Sequence, residues 1–184
     1  KNIVVYGLED KVFGTLKNLE KKFGTKRFFH TPLSEDMLTG MSLGLALSGK
    51  VAVFNHIRVD FLLLGMNQLI NMISSYNFST NGNQKLPILI RAVIGRGWGQ
   101  GYQHSKSLQS IFAHIPGLKV IMPSTPYDAK GMIASALTGN NPVICLEHRW
   151  LYWQKDFVPK KNYKVSLDTA NILKKGKDIT LVCT

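Results

Sequence analysis

Short apolar runs alternate along this chain with longer segments of helical period, and that alternation predicts strands separated by helices. Residues 3–6 read as a strand. Residues 12–23 read as an amphipathic helix, with Val12, Leu16, Leu19 and Phe23 on one stripe and lysines opposite. Strands follow at 27–30 and 51–56, then a long helix from about Asp60 to Tyr76 and a polar loop at 79–84. Residues 86–93 form a continuous apolar run, as expected of a parallel strand covered on both faces. A helix at 105–113, strands at 119–122 and 142–147, and a last strand at 178–183 complete the pattern. Thr125-Pro126-Tyr127-Asp128 is a strong helix start, with Thr125 as cap, Pro126 in the first turn and Asp128 reaching back; that helix is expected to run to Gly139. The whole reads as a three-layer α/β sandwich with a mostly parallel sheet, whose ligands gather at the carboxyl ends of the strands.

The stretch from His30 to Gly49 is the most informative. Pro32 ends any strand before it, Ser34 is a good N-cap, and Glu35 and Asp36 fall in the first helical turn. Gly40, Gly44, Ala46 and Ser48 would let other backbones approach, so the helix is expected to be buried all round and to end at Gly49. Glu35 then lies at the positive end of a buried helix, where it either caps that helix or accepts a hydrogen bond from a ligand.

Composition narrows the classes. The chain has 184 residues, 45% of them hydrophobic, enough for one domain with a core and no run long enough to span a membrane. Lys1 stands first and no secretory pattern follows it, which reads as a fragment or as a chain without an ordered N-terminus. Cys145 and Cys183 lie in apolar runs and read as buried thiols of a reducing compartment. The net charge of +12 concentrates at 17–26 and 155–177; without aromatic interleaving or a nucleic-acid motif it fits a solvated surface or an acidic protein partner better than nucleic acid. Gly95, Gly97, Gly99 and Gly101 alternate through a loop that has neither phosphate-loop nor dinucleotide spacing; it is either a mobile surface loop or a close approach to a ligand. Trp98 and Tyr102 in that loop argue for packing. His104 follows and could move protons near neutral pH. The remaining histidines have no metal-ligand spacing.

Several segments together carry a resemblance: Thr31-Pro32-Leu33-Ser34-Glu35, Asp60-Phe61, Gln103-His104-Ser105, residues 113–120, residues 123–131 and residues 142–148. In this order they resemble the transketolase-like pyrimidine-binding domain of the beta subunit of thiamine-diphosphate-dependent 2-oxo acid dehydrogenases of the pyruvate, branched-chain and acetoin types. The resemblance implies the thiamine-diphosphate-binding fold over residues 1–165, with 166–184 as linker and first strand of a C-terminal domain. It implies oxidative decarboxylation of a 2-oxo acid with acyl transfer to lipoamide. Glu35 would hydrogen-bond the cofactor's pyrimidine and so promote deprotonation of its thiazolium. Ile57 and Phe61 would contact the same ring, and His104 would line the channel and assist proton transfer or reductive acylation. Backbone carbonyls of Ile88, Ala136, Leu137, Gly139 and Asn141 would hold potassium.

The family's diphosphate and Mg2+ site uses a Gly-Asp-Gly motif that does not occur in this chain, so an alpha-type subunit is implied. A beta-subunit homodimer inside a heterotetramer, and a lipoyl domain or acyltransferase core, are the other partners implied; the compartment would be bacterial cytoplasm or an organelle matrix or stroma. Asn55 stands where the family often has Glu, Arg58 where it has an aromatic or small residue, Ala92 for a frequent glycine and Gly139 for a frequent Asp. These departures leave a split transketolase-like enzyme acting on sugars, and a non-catalytic assembly or regulatory paralogue, as the alternatives.

Overall fold

In a computed structural model, residues 2–8 and 14–182 are described. Six parallel strands, β1 (Ile3–Gly7), β2 (Phe28–His30), β3 (Val51–Arg58), β4 (Ile88–Ile94), β5 (Lys119–Ile121) and β6 (Val143–His148), form one sheet in the order β2-β1-β3-β4-β6-β5. Period-two alternation sorts their side chains. Val4, Tyr6, Ala52, Phe54, Ile88, Ile90 and Ile144 face one core, and Val53, Leu89, Val143 and Cys145 face the other. The two edge strands, β2 and β5, are three residues each.

Helix α1 (Leu19–Phe23) and helix α6 (Pro126–Ala136) lie over the second core, and an apolar cleft of about 220 Å3 between them is lined by Leu16, Leu19, Ile133 and Leu137. The first core is covered by α2 (Glu35–Leu47), by the helical path of residues 59–79, and by α5 (Gln109–Ala113). That path changes pitch along its length: α3 (Val59–Leu62), a tight turn Leu63–Gly65, a wide π-helical stretch Gln68–Ser74, and α4 (Ser75–Ser79). It is the long helix expected from the periodicity, starting one residue earlier. Among the described residues no helix is long and apolar enough to cross a membrane.

Thr125 caps α6 as expected: Asp128 N–H donates to Thr125 Oγ1 at 3.0 Å and the Thr125 hydroxyl donates to Asp128 Oδ2 at 2.8 Å. The helix itself stops at Ala136 and passes into turns before Gly139. Five other expectations are corrected. The helix expected over 12–23 is confined to α1, because Gly14 and Asn18 adopt φ of 64° and 66°, left-handed values that break a right-handed helix; Val12 lies outside the described residues. The helix expected over 105–113 is confined to α5. Helix α2 is buried on one side only, through Leu38, Thr39, Ser42, Leu43 and Ala46, while Met37, Gly44 and Leu47 are exposed, and Ser34 holds the N-cap position without a side-chain cap bond. No strand forms over 178–182, where no neighbouring strand is at hand to complete a ladder; Cys183 lies outside the described residues.

Among the described residues, Arg91 and Glu147 form an ion pair within the apolar sheet. Arg91 of β4 donates two hydrogen bonds to Glu147 of β6, at 2.6 and 2.8 Å, and the Tyr152 hydroxyl donates to the same carboxylate at 2.9 Å. Arg91 is opposite Cys145 in the ladder, so Glu147 is its diagonal neighbour on the same face. The Glu147 charge, in hydrogen-bond contact, raises the proton affinity of Arg91 despite the opposing effect of burial. Glu147→Ala would leave a buried guanidinium unpaired and is expected to cost about 3–5 kcal/mol in urea unfolding, whereas Arg91→Met with Glu147→Leu should cost distinctly less.

Candidate active site at the carboxyl edge of the sheet

Four candidate residues come to the carboxyl edge of the sheet from three different loops. Glu35 opens α2, just beyond β2, and is half-buried. Its carbonyl accepts a hydrogen bond from Thr39 Oγ1 at 2.6 Å. Thr39 is fully buried and presses on Gly65, where a Cβ would lie 2.5 Å from Oγ1. The first turn of α2 is thereby seated against the chain segment that follows Phe61.

Ile57 sits at an irregularity of β3. His56 pairs with Ala92 and Arg58 with Val93, so Ile57 is the extra residue of a bulge. A bulge bends the strand and redirects one side chain, and Ile57 is half-buried where its neighbours His56 and Arg58 are buried. Phe61, in α3, meets His104 edge-to-face, with ring centres 5.1 Å apart and planes at 72°. His104 ends the short turn Tyr102–His104. A second tie holds that turn to α3: Lys106 Nζ lies 3.4 Å from Asp60 Oδ1 and donates to the Tyr102 carbonyl at 3.1 Å. Asp60 is buried, and its Oδ2 has no hydrogen-bond partner among the described residues.

The glycine loop is packed rather than loose at its start. A Cβ on Gly95 would lie 2.7 Å from His148 Nε2, and one on Gly97 2.9 Å from the Trp150 ring. Gly99 and Gly101 meet nothing. Trp98 donates its indole N–H to the His104 carbonyl at 3.2 Å. Arg58 donates to Gln100 Oε1 in the same loop. Sequence reasoning marked Arg58 only as a departure; a charged residue closing an apolar strand was the available signal.

The remaining candidates lie elsewhere. Ile88 begins β4 and Asn141 precedes β6, so the residues assigned to potassium gather at the amino edge, about 20 Å away along a seven-residue strand. There Leu86 N–H donates to the Asn140 carbonyl at 2.8 Å, and Gly139 N–H donates to the carbonyls of Ser135 and Ala136 at 2.9 and 3.3 Å. Leu137 follows α6 and donates to the Ile133 carbonyl. Among the described residues no three His, Cys, Asp or Glu side chains gather to hold a metal.

Comparison with known proteins decides the family: residues 2–154 match the transketolase pyrimidine-binding domain. The chain belongs to that family. Its relatives include the pyruvate dehydrogenase E1 component subunit beta of Porphyra purpurea, 40% identical over 90% of this chain and 50% of that protein. Another is the acetoin:2,6-dichlorophenolindophenol oxidoreductase subunit beta of Cupriavidus necator, 39% identical over 93% of this chain and 50% of that protein. The pyruvate dehydrogenase E1 component subunit beta of Staphylococcus epidermidis is 38% identical over 96% and 54%. The chain thus spans about half the length of these relatives. A solved structure titled as a split gene transketolase, inactive beta4 tetramer, shares the fold with a TM-score of 0.64 at 22% identity, over 80% of this chain and 45% of that one.

A transketolase pyrimidine-binding domain implies thiamine diphosphate, and one half of that molecule fits these residues. Half-exposed Phe61 offers a flat apolar ring, Ile57 on its bulge an apolar edge, and Glu35 a hydrogen-bonding carboxyl group. For the diphosphate half, the sequence contains no Gly-Asp-Gly motif.

His56, beside the bulge, has a pKa lowered by burial to about 4, so it is neutral in the folded domain at pH 7. Because the unfolded chain takes up this proton near pH 6.5, His56 stabilises the fold fully above that pH and loses its contribution as pH falls toward 4. Wild-type stability relative to His56→Gln should therefore fall by about 1 kcal/mol per pH unit between 6 and 4.5, measured by urea unfolding.

Proposed function

We propose that this domain is the pyrimidine-binding part of the beta subunit of a thiamine-diphosphate-dependent 2-oxo acid dehydrogenase. The observation that carries the reading is the contact of Phe61 with His104 beside the bulged Ile57 and the opening turn of α2. The sequence similarity to beta subunits of pyruvate dehydrogenase and of an acetoin oxidoreductase supports the choice of reaction.

In this reading Phe61 and Ile57 orient the aminopyrimidine by packing on it. Glu35 holds a proton at the ring nitrogen and takes it back as the ring is used. When bound, the cofactor supplies the nucleophilic carbon that attacks the 2-oxo group and the electron sink that lets carbon dioxide leave. His104, held by its edge contact with Phe61 and by the Trp98 bond to its carbonyl, moves protons as the acyl group passes to a lipoyl group. An alpha-type partner supplies the diphosphate and Mg2+ site, and two beta subunits pair within a heterotetramer. Backbone carbonyls of Ile88, Ala136, Leu137, Gly139 and Asn141 would hold a structural potassium ion at the far edge. The basic surface meets an acidic lipoyl domain or the acyltransferase core; association should then weaken as salt rises, and a salt-independent affinity would refute that contact.

Reconstituted with its alpha-type partner, the Glu35→Gln variant should lose roughly 10²–10⁴-fold in 2-oxo acid decarboxylation while its thermal midpoint holds. Unchanged decarboxylation would overturn the assignment of Glu35, and ketol transfer from a ketose phosphate in its place would favour the sugar-processing alternative.

A further inference from the structure

The loop that carries His104 has little of its own in the core. Residues 99–103 are exposed, and Gly99 and Gly101 adopt φ of 73° and 70° with open space where a side chain would lie. The path of such a segment is set by contacts from outside it. Three of these contacts come from one stretch, residues 58–61, at the end of β3 and in α3. Arg58 donates to Gln100 Oε1, Asp60 pairs with Lys106, and Phe61 meets His104 edge-to-face. The loop is therefore held on both sides of His104 as well as at His104 itself.

The two ends of the ion pair differ. The Asp60 side chain is 3% exposed and belongs to α3, whereas that of Lys106 is 42% exposed. Asp60 is the fixed post and Lys106 the movable arm. The Lys106 ammonium lies 3.4 Å from Asp60 Oδ1, donates to the Tyr102 carbonyl at 3.1 Å and stands 5.7 Å from the Tyr102 ring centre. One cation thus joins α3 to the start of the turn whose last residue is His104. The Ser105 hydroxyl closes the same turn by donating to the Gly101 carbonyl at 2.6 Å.

A single ring contact fixes the distance between Phe61 and His104 but lets the imidazole swivel. Asp60 adjoins Phe61 in the chain, and Lys106 is two residues beyond His104. The ion pair therefore adds a second fixed point close to the first, and two points remove that rotation. An ion pair open to water at one end adds little to global stability, so its effect belongs to the loop. A reacting group displaced by about 1 Å loses much of its rate. We propose that Asp60 and Lys106 are positioning residues that clasp the turn onto α3 and so orient the His104 imidazole for proton transfer. Their effect on turnover rests on the role proposed for His104; the holding of the loop does not.

The test uses the full-length chain assembled with its alpha-type partner. Amide hydrogen exchange over residues 99–107, read by mass spectrometry, should be about fivefold faster in Lys106→Met than in wild type and near the wild-type rate in Lys106→Arg. The double variant Asp60→Asn with Lys106→Met leaves no buried charge unpaired, so it separates loss of the clasp from charge imbalance. Its exchange should stay as fast as that of Lys106→Met. Wild-type exchange in either variant overturns the proposal.

Turnover supplies the second readout. Acyl transfer to a lipoyl domain, divided by decarboxylation coupled to the dye 2,6-dichlorophenolindophenol, should fall roughly tenfold in Lys106→Met and recover in Lys106→Arg. An equal fall in both activities would mark a merely structural role and overturn the positioning of His104. Lys106-dependent exchange in a complex that decarboxylates no 2-oxo acid would uphold the clasp and remove the decarboxylase reading. Normal turnover with wild-type exchange in Lys106→Met would do the reverse.

Discussion

A buried tyrosine fixes the helix on which the candidate site is built. Tyr6 is fully enclosed, and its hydroxyl contacts the Leu38 carbonyl at 2.9 Å and Ser42 Oγ at 2.6 Å. Its ring stacks on Phe54 of the next strand at 5.3 Å. A hydroxyl in an apolar core is costly unless bonded, so α2 is held at the height where these partners are met. Thr39, one residue beyond Leu38, then fixes the Glu35 carbonyl and the approach of Gly65. Through Gly65 the constraint reaches α3 and Phe61, and through Phe61 it reaches His104. The site inherits its geometry from packing below it.

Two arginines on neighbouring strands show how differently the fold treats charge. Arg91 is deep in the sheet and fully answered by Glu147, with Tyr152 on the same carboxylate. That network is finished, and it orders the middle of the β4–β6 ladder. Arg58 lies at the edge, stacked on an indole beside a second guanidinium. It donates to Gln100 Oε1 and so ties the end of β3 to the glycine loop, whereas Arg91 ties two strands of the sheet together.

Much of this was legible from the chain alone. Strand positions followed from apolar runs, and the α6 start from Thr125, Pro126 and Asp128, because those signals are local. What failed depended on neighbours. Gly14 and Asn18 sit between stripe residues of an apparently good helix, and their left-handed conformations interrupt it. Ser34 has the composition of a cap, but its conformation supplies no cap bond. Residues 178–182 have strand composition and no strand beside them. At the candidate site, Glu35, Ile57, Phe61 and His104 were singled out through a resemblance spread over several segments. The bulge at Ile57, the edge contact of Phe61 with His104 and the sharing of Trp98 by Arg58 and Arg149 were not, since each joins residues by strand register or loop path.

The brevity of the outermost strands has a consequence for company. With three residues at each margin, β2 and β5 offer too little open backbone for another sheet to be stitched on. Anything that joins this domain must therefore meet its side chains, on the helical layers or along the upper rim. Recognition written in side chains can be rewritten by a handful of substitutions, so one scaffold can change associates without refolding.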